Sequence, residues 1–155
     1  MDFALTDEQL SLQETARRFA QSEIAPIAAH HDQTGEFPME VMRKAFELGL
    51  SSASIPAEYG GVGLSLFDAV LVVEELSWGC AGMATSIMCN DLGLTPILVG
   101  GSDEQKKEWF RYLTQQFRLV SFCLSEPAAG SDVAGLQLLA EKDGDHYVLN
   151  GTKCW

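Results

Sequence analysis

Apolar residues recur three and four apart up to about Arg118 and two apart beyond it. The first spacing predicts helices and the second predicts strands. Thr6-Asp7-Glu8-Gln9 opens the series as a capping box, and Leu10, Ala16, Phe19, Ala20 and Ile24 follow at helical spacing. Pro26 ends or bends this helix, because the residue before a proline avoids the α region. Pro38 begins a second helix over Met39–Leu48, closed by Gly49 at the C′ position. Ser51–Ser65 is a glycine-rich loop. Ser65 then caps a helix running to Leu76, with Asp68 near its positive end. Val70, Leu71, Val72, Val73 and Leu76 form its apolar face, and Glu74 and Glu75 point outward. Cys80–Val99 reads as a buried helix pair kinked near Gly93 and Pro96, at the centre of a bundle. Ser102-Asp103-Glu104-Gln105 caps one more helix through Leu113. Leu119–Leu124, Leu136–Glu141 and His146–Leu149 then read as strands, with turn signals at Asp143-Gly144-Asp145 and Asn150-Gly151.

This pattern predicts a mainly α fold with a helical domain over residues 1–117 and the opening of a β domain over 118–155. Three short strands do not complete a sheet, and no cap or polar tail follows Trp155, which predicts a longer parent protein. The 155 residues carry a net charge of −12. That charge argues against nucleic acid and against anionic membrane surfaces, both of which require a basic face. The Cys80–Val99 stretch is interrupted by Thr85, Ser86, Asn90, Asp91 and Thr95, so it is no membrane span. Cys80, Cys89, Cys123 and Cys154 have no metal-ligand spacing and read as free thiols in a reducing compartment. The N-terminus lacks the features of a signal or transit peptide, so the expected location is cytoplasmic.

Four features invite chemistry, and three have a simpler reading. Adjacent His30 and His31 diverge by about 100° on a helix and read as a solvated face. Gly61-x-Gly63 lacks the third glycine and the βαβ setting of a dinucleotide fold, so it reads as a structural loop. His146 reads as an exposed strand residue. The fourth feature is Ser121–Gly135, SFCLSEPAAGSDVAG. A strand that delivers a hydroxyl, Ser125, runs into Ala128-Ala129-Gly130-Ser131, where side chains are small enough for backbone N–H groups to approach a flat polar ligand. On physical grounds alone, a purely structural turn and a ligand cradle both fit this stretch.

FCLSEPAAGSDVAG resembles the flavin-binding strand and loop of the acyl-CoA dehydrogenases. The resemblance extends in order through LTDEQ, IPAEYGGVGLS, GCAGM, GSDEQKKEW and DGDHYVLNGTKCW, with a medium- or short-chain flavour. It implies an N-terminal helical domain, a middle β domain and a C-terminal four-helix domain, of which this chain supplies the first and the start of the second. It also implies FAD as cofactor, with Phe122, Cys123, Leu124, Ser125, Gly130, Ser131 and Trp155 in the flavin site. Ser131 would also lie near bound acyl-CoA, and Met88 near the distal end of the acyl chain. The implied reaction is α,β-dehydrogenation of an acyl-CoA thioester by a glutamate base of the C-terminal domain, so no catalytic residue falls in this chain. Neither Glu126 nor the Glu74-Glu75 pair takes that role. Electron-transfer flavoprotein is the implied acceptor and a homotetramer the implied assembly. Two alternatives stay open: a related acyl-CoA or nitroalkane-type oxidase, and a non-catalytic helical module that binds acyl-CoA or a protein.

Overall fold

The computed structural model describes residues 4–155, which divide into two compact units, one ending at Ser121 and one spanning Phe122–Trp155. The first unit holds seven α-helices: α1 (Asp7–Phe19), α2 (Ala28–Thr34), α3 (Met39–Glu47), α4 (Leu66–Gly79), α5 (Ala81–Ile87), α6 (Cys89–Gly100) and α7 (Asp103–Gln115). Three reciprocal capping boxes, Thr6 with Gln9, Ser65 with Asp68 and Ser102 with Gln105, start α1, α4 and α7. Each satisfies two backbone donors that a helix start leaves orphaned. Gly49 closes α3 with φ +74°, a left-handed conformation that glycine adopts without Cβ strain.

The first helix does not simply stop at Pro26. After Phe19 it widens into a π-helical turn, Ala20–Ile24, in which Ala25 N–H reaches back to Ala20 O. The turn buries both Ala20 and Ile24. The main core gathers Ala16, Phe19 and Ile24 with Val41 and Met42 of α3, Val72 and Leu76 of α4, and Met83 and Ile87 of α5. A smaller core packs Ile55, Leu94, Phe110 and Leu113, with Tyr59 and Val120 against it.

Three expectations about these helices are corrected. The break in the Cys80–Val99 stretch falls at Met88, between α5 and α6, while Gly93 and Pro96 both lie inside α6. That stretch is central only in its first half, where Met83, Ala84 and Ile87 of α5 lie in the main core. Val99 of α6 is 80% exposed, and its buried residues are Asn90, Asp91 and Leu94. Apolar residues without a 3.6 period carry no information about which side is covered. The main core lies where α1, α3, α4 and α5 meet.

The third correction concerns Glu75. Glu74 points to solvent as expected, but Glu75 is only 2% exposed. Leu71, Val72, Glu75, Leu76 and Gly79 lie at i, i+1, i+4, i+5 and i+8, which is one helical stripe. Counting that stripe strictly places Glu75 inward and Val70 outward, and Val70 is 52% exposed. Its carboxylate is met by the guanidinium of Arg17 on α1, where Nε donates to Oε2 and Nη2 donates to Oε1 at 2.9 Å. A buried carboxylate robbed of its cation is strongly unfavourable, whereas replacing both partners by apolar groups costs little. Arg17→Met is therefore expected to lower Tm by roughly 5–10 °C, and Arg17→Met with Glu75→Leu to recover most of it. Thermal melts of the two variants check this.

The second unit contains one antiparallel hairpin, β1 (Leu139–Asp143) and β2 (His146–Asn150), turned at Gly144 with φ +59°. Two of the three expected strands are thus present, with β1 displaced toward the turn. The third, Leu119–Leu124, is extended but pairs with no strand among the described residues. Alternation specifies an extended backbone, but a strand also requires a ladder partner. The Asn150-Gly151 signal is corrected as well: β2 ends there without a second hairpin. Gly151 sits at φ +153°, and a Cβ on it would lie 2.8 Å from Leu138 Cβ. The glycine is there for a close crossing.

Candidate functional site

The second unit is built around Glu126. Its backbone forms a tight turn with Ala129, Glu126 N–H donating to Ala129 O at 2.9 Å and Ala129 N–H returning to Glu126 O at 3.1 Å. Pro127 suits such a turn because its φ is already set. The carboxylate is buried, 8% exposed, and fully engaged. It accepts from Gln137 N–H at 2.7 Å, Leu138 N–H at 3.0 Å and Lys153 Nζ at 2.8 Å. Lys153 also donates to Leu124 O at 2.9 Å, and Cys154 N–H donates to Ser125 O at 2.8 Å. One glutamate and one lysine thereby hold the extended run, the loop and the chain end together.

The ammonium of Lys153, and then the two amides, lower the Glu126 pKa from 4.5 to about 2, against the opposing effect of burial. A carboxylate so firmly ionised is a poor proton acceptor near neutrality. Its contacts are those of a residue that ties the segment together.

Glu126 and Lys153 frame the residues singled out for the flavin. Phe122 is 41% exposed, Cys123 is exposed, and Leu124 and Ser125 are half-buried. Gly130 and Ser131 are exposed in the loop, and a Cβ on Gly130 would meet nothing within 4 Å. Trp155 is fully exposed. The hydroxyls of Ser125 and Ser131 and the backbone N–H groups of Phe122, Cys123, Leu124, Ser125, Gly130 and Ser131 make no hydrogen bond within the described residues. Exposed aromatic and thiol side chains, free hydroxyls and a row of open amides suit a planar ligand with donors and acceptors on its rim. The donor set therefore fits a flavin. Lys153 and Gly151, which shape this unit, were visible in the sequence only within DGDHYVLNGTKCW and the Asn150-Gly151 turn signal, neither of which displays these contacts. Each acts only through a residue far along the chain.

The remaining candidates lie in the helical unit. Met88 is half-buried at the α5–α6 break. His30 and His31 sit on α2, where His31 Nδ1 lies 2.6 Å from Glu36 O. Gly60 and Gly63 adopt φ +87° and +70°, and a Cβ on Gly61 would lie 2.0 Å from Ile55 O. The glycines of that loop thus each have a local backbone or steric reason. All four cysteines are free thiols, and among the described residues no helix is long and apolar enough to cross a membrane.

Residues 6–116 match the sequence model of the acyl-CoA dehydrogenase N-terminal domain. The chain belongs to the acyl-CoA dehydrogenase family. Within that family it is 40% identical over 155 residues to the probable medium-chain specific acyl-CoA dehydrogenase 2, mitochondrial, of Caenorhabditis briggsae, covering 100% of this chain and 38% of the relative. The structure of a glutaryl-coenzyme A dehydrogenase glutaryl-CoA complex superposes with a TM-score of 0.92 at 38% identity, over 100% of this chain and 40% of that one. An acyl-CoA dehydrogenase complexed with FAD from Bacillus anthracis superposes with a TM-score of 0.87 at 33% identity, over 97% of this chain and 26% of that one. The chain thus spans about two-fifths or less of the length of these family members. Its helices and first strands are those of the family's N-terminal part.

Proposed function

We propose that this chain is the N-terminal portion of an FAD-dependent acyl-CoA dehydrogenase that converts acyl-CoA thioesters to trans-2-enoyl-CoA. Residues 1–117 supply the helical domain and 118–155 the start of the middle β domain. The observation that carries this reading is the exposed run Phe122–Ser125 with its open amides, held beside the Gly130-Ser131 loop by Glu126 and Lys153. Phe122, Cys123 and Leu124 line the flavin ring, and the Ser125 hydroxyl serves its pyrimidine end. Gly130 leaves room for backbone approach, Ser131 faces both cofactor and thioester, and Trp155 packs on the ring. Bound FAD supplies the acceptor for the hydride that leaves the substrate β-carbon.

The α-proton goes to a carboxylate base that must be dry and of raised pKa. Glu126 has the opposite properties, with a pKa of about 2 and three donors on its oxygens. That supports a base elsewhere, in the part of the parent protein this chain does not include. Electrons then pass to electron-transfer flavoprotein, and the parent assembles as a homotetramer in the cytoplasm, a reducing setting that suits four free thiols.

The test compares the 155-residue chain with the full-length gene product by flavin absorbance, then by anaerobic addition of short-, medium- and long-chain acyl-CoA. The full-length protein is expected to hold FAD and bleach, and the fragment to stay colourless because much of the cofactor's contact surface is missing. Rapid recolouring in air would reassign the parent as an oxidase. A full-length protein that holds no flavin, or bleaches with no acyl-CoA, would overturn the enzymatic reading in favour of a binding module.

A further inference from the structure

The peptide that becomes the flavin run is gripped by α6 just before it leaves the helical unit. Asn90 is 1% exposed, and its side chain acts as a short substitute strand. Nδ2 donates to Arg118 O at 2.9 Å and Oδ1 accepts from Val120 N–H at 2.8 Å. One backbone carbonyl and one backbone amide fix which end of the amide is which. Cys89 Sγ–H donates to Val120 O at 3.0 Å. Gly93, one turn further along α6, lets Val120 lie against the helix: a Cβ there would be 2.6 Å from Val120 Cγ1.

Cys89, Asn90 and Gly93 thus hold both polar groups of Val120, the carbonyl of Arg118 and the Val120 side chain. These contacts stand in for the missing ladder partner of the extended segment. Phe122 follows two residues later in a continuous chain. We infer that Asn90 is a positioning residue for the flavin: by pinning Arg118 and Val120 it sets the register in which Phe122, Leu124 and Ser125 reach the cofactor. This inference rests on the flavin reading above. Purely structural glue would be served as well by apolar packing. A buried amide bonded to alternate backbone groups specifies register, which packing does not.

Two variants test it in the full-length protein. Asn90→Ala removes both backbone bonds. Gly93→Ala leaves those bonds in place and favours the α-helix, so it disturbs only the approach of Val120. Gly100→Ala, with nothing within 4 Å of the added carbon, is the control. Hydrogen exchange reads the clamp directly: the Val120 amide is expected to exchange about tenfold faster or more in Asn90→Ala. Both clamp variants are expected to weaken FAD binding on the order of tenfold and to alter the visible circular dichroism of the bound flavin, with the control unchanged. Faster Val120 exchange and a lower Tm with unchanged FAD affinity and flavin spectrum would overturn the positioning role and leave Asn90 structural. Unchanged Val120 exchange in Asn90→Ala would overturn the clamp itself. If the unmutated protein is colourless, the flavin reading fails and takes this role with it, an outcome told apart because it appears without any substitution.

Discussion

Gly61→Ala is expected to destabilise the helical unit by about 3 kcal/mol, near the upper end for overpacking. The added Cβ would lie 2.0 Å from Ile55 O, 2.5 Å from Ile55 Cβ and 2.6 Å from Ile55 C. No rotamer relieves a collision with backbone, so the Ser52–Gly63 loop has to shift. Ile55 is 2% exposed and packs with Leu94, Phe110 and Leu113, so the shift opens the smaller core as well. Gly63 N–H donates to Ile55 O at 2.9 Å, and that bond would be strained together with the packing. Urea denaturation of Gly61→Ala against Gly100→Ala measures the effect. Gly100→Ala is expected to be neutral or slightly stabilising, because alanine loses less backbone entropy on folding. Equal midpoints for the two variants would show that the loop accommodates a side chain, and the steric account of its glycines would fail.

The second large effect is expected at Glu126. Glu126→Ala removes the acceptor for Gln137 N–H, Leu138 N–H and Lys153 Nζ together, leaving two backbone donors and a cation without partners. The Gln137 and Leu138 amides are expected to exchange about tenfold faster or more, while amides of α1 and α4 keep their protection. Hydrogen exchange followed residue by residue separates this local loosening from global unfolding. The pH dependence has a definite sign. Because folding lowers the Glu126 pKa from 4.5 to about 2, its contribution is fully present above the ordinary value and is lost as pH falls from 4.5 toward 2. Gln137 and Leu138 protection in the unmutated chain should therefore persist at neutral pH and fall across that window, and Glu126→Ala should show no such fall. Protection that is flat between pH 5 and pH 2 would remove Glu126 from this role.

The helices were legible because their signals are local. A serine or threonine followed three residues later by glutamine or aspartate closes a capping box within one turn, so Thr6, Ser65 and Ser102 marked their helices without reference to the rest of the chain. The hairpin at Gly144 was legible for the same reason. The candidate flavin residues were singled out by an ordered motif, and the structure brings Ser125, the loop and the chain end together through contacts the motif does not display.

What the sequence alone determined was therefore the capped starts of α1, α4 and α7, the hairpin at Gly144 and the family to which the chain belongs. Tertiary structure decided the rest. Glu75 was read as outward because a charge beside another charge resembles a solvated face, and only Arg17, 58 residues away, makes its burial tolerable. The extended run after Arg118 was read as a strand, but its ladder is supplied by the side chain of Asn90 rather than by a neighbouring strand. Lys153 had no assigned role within DGDHYVLNGTKCW until folding placed it against a glutamate 27 residues earlier. Local free-energy preferences are written within a few residues. The cost of burying a charge or an unpaired amide depends on a partner that sequence proximity cannot name.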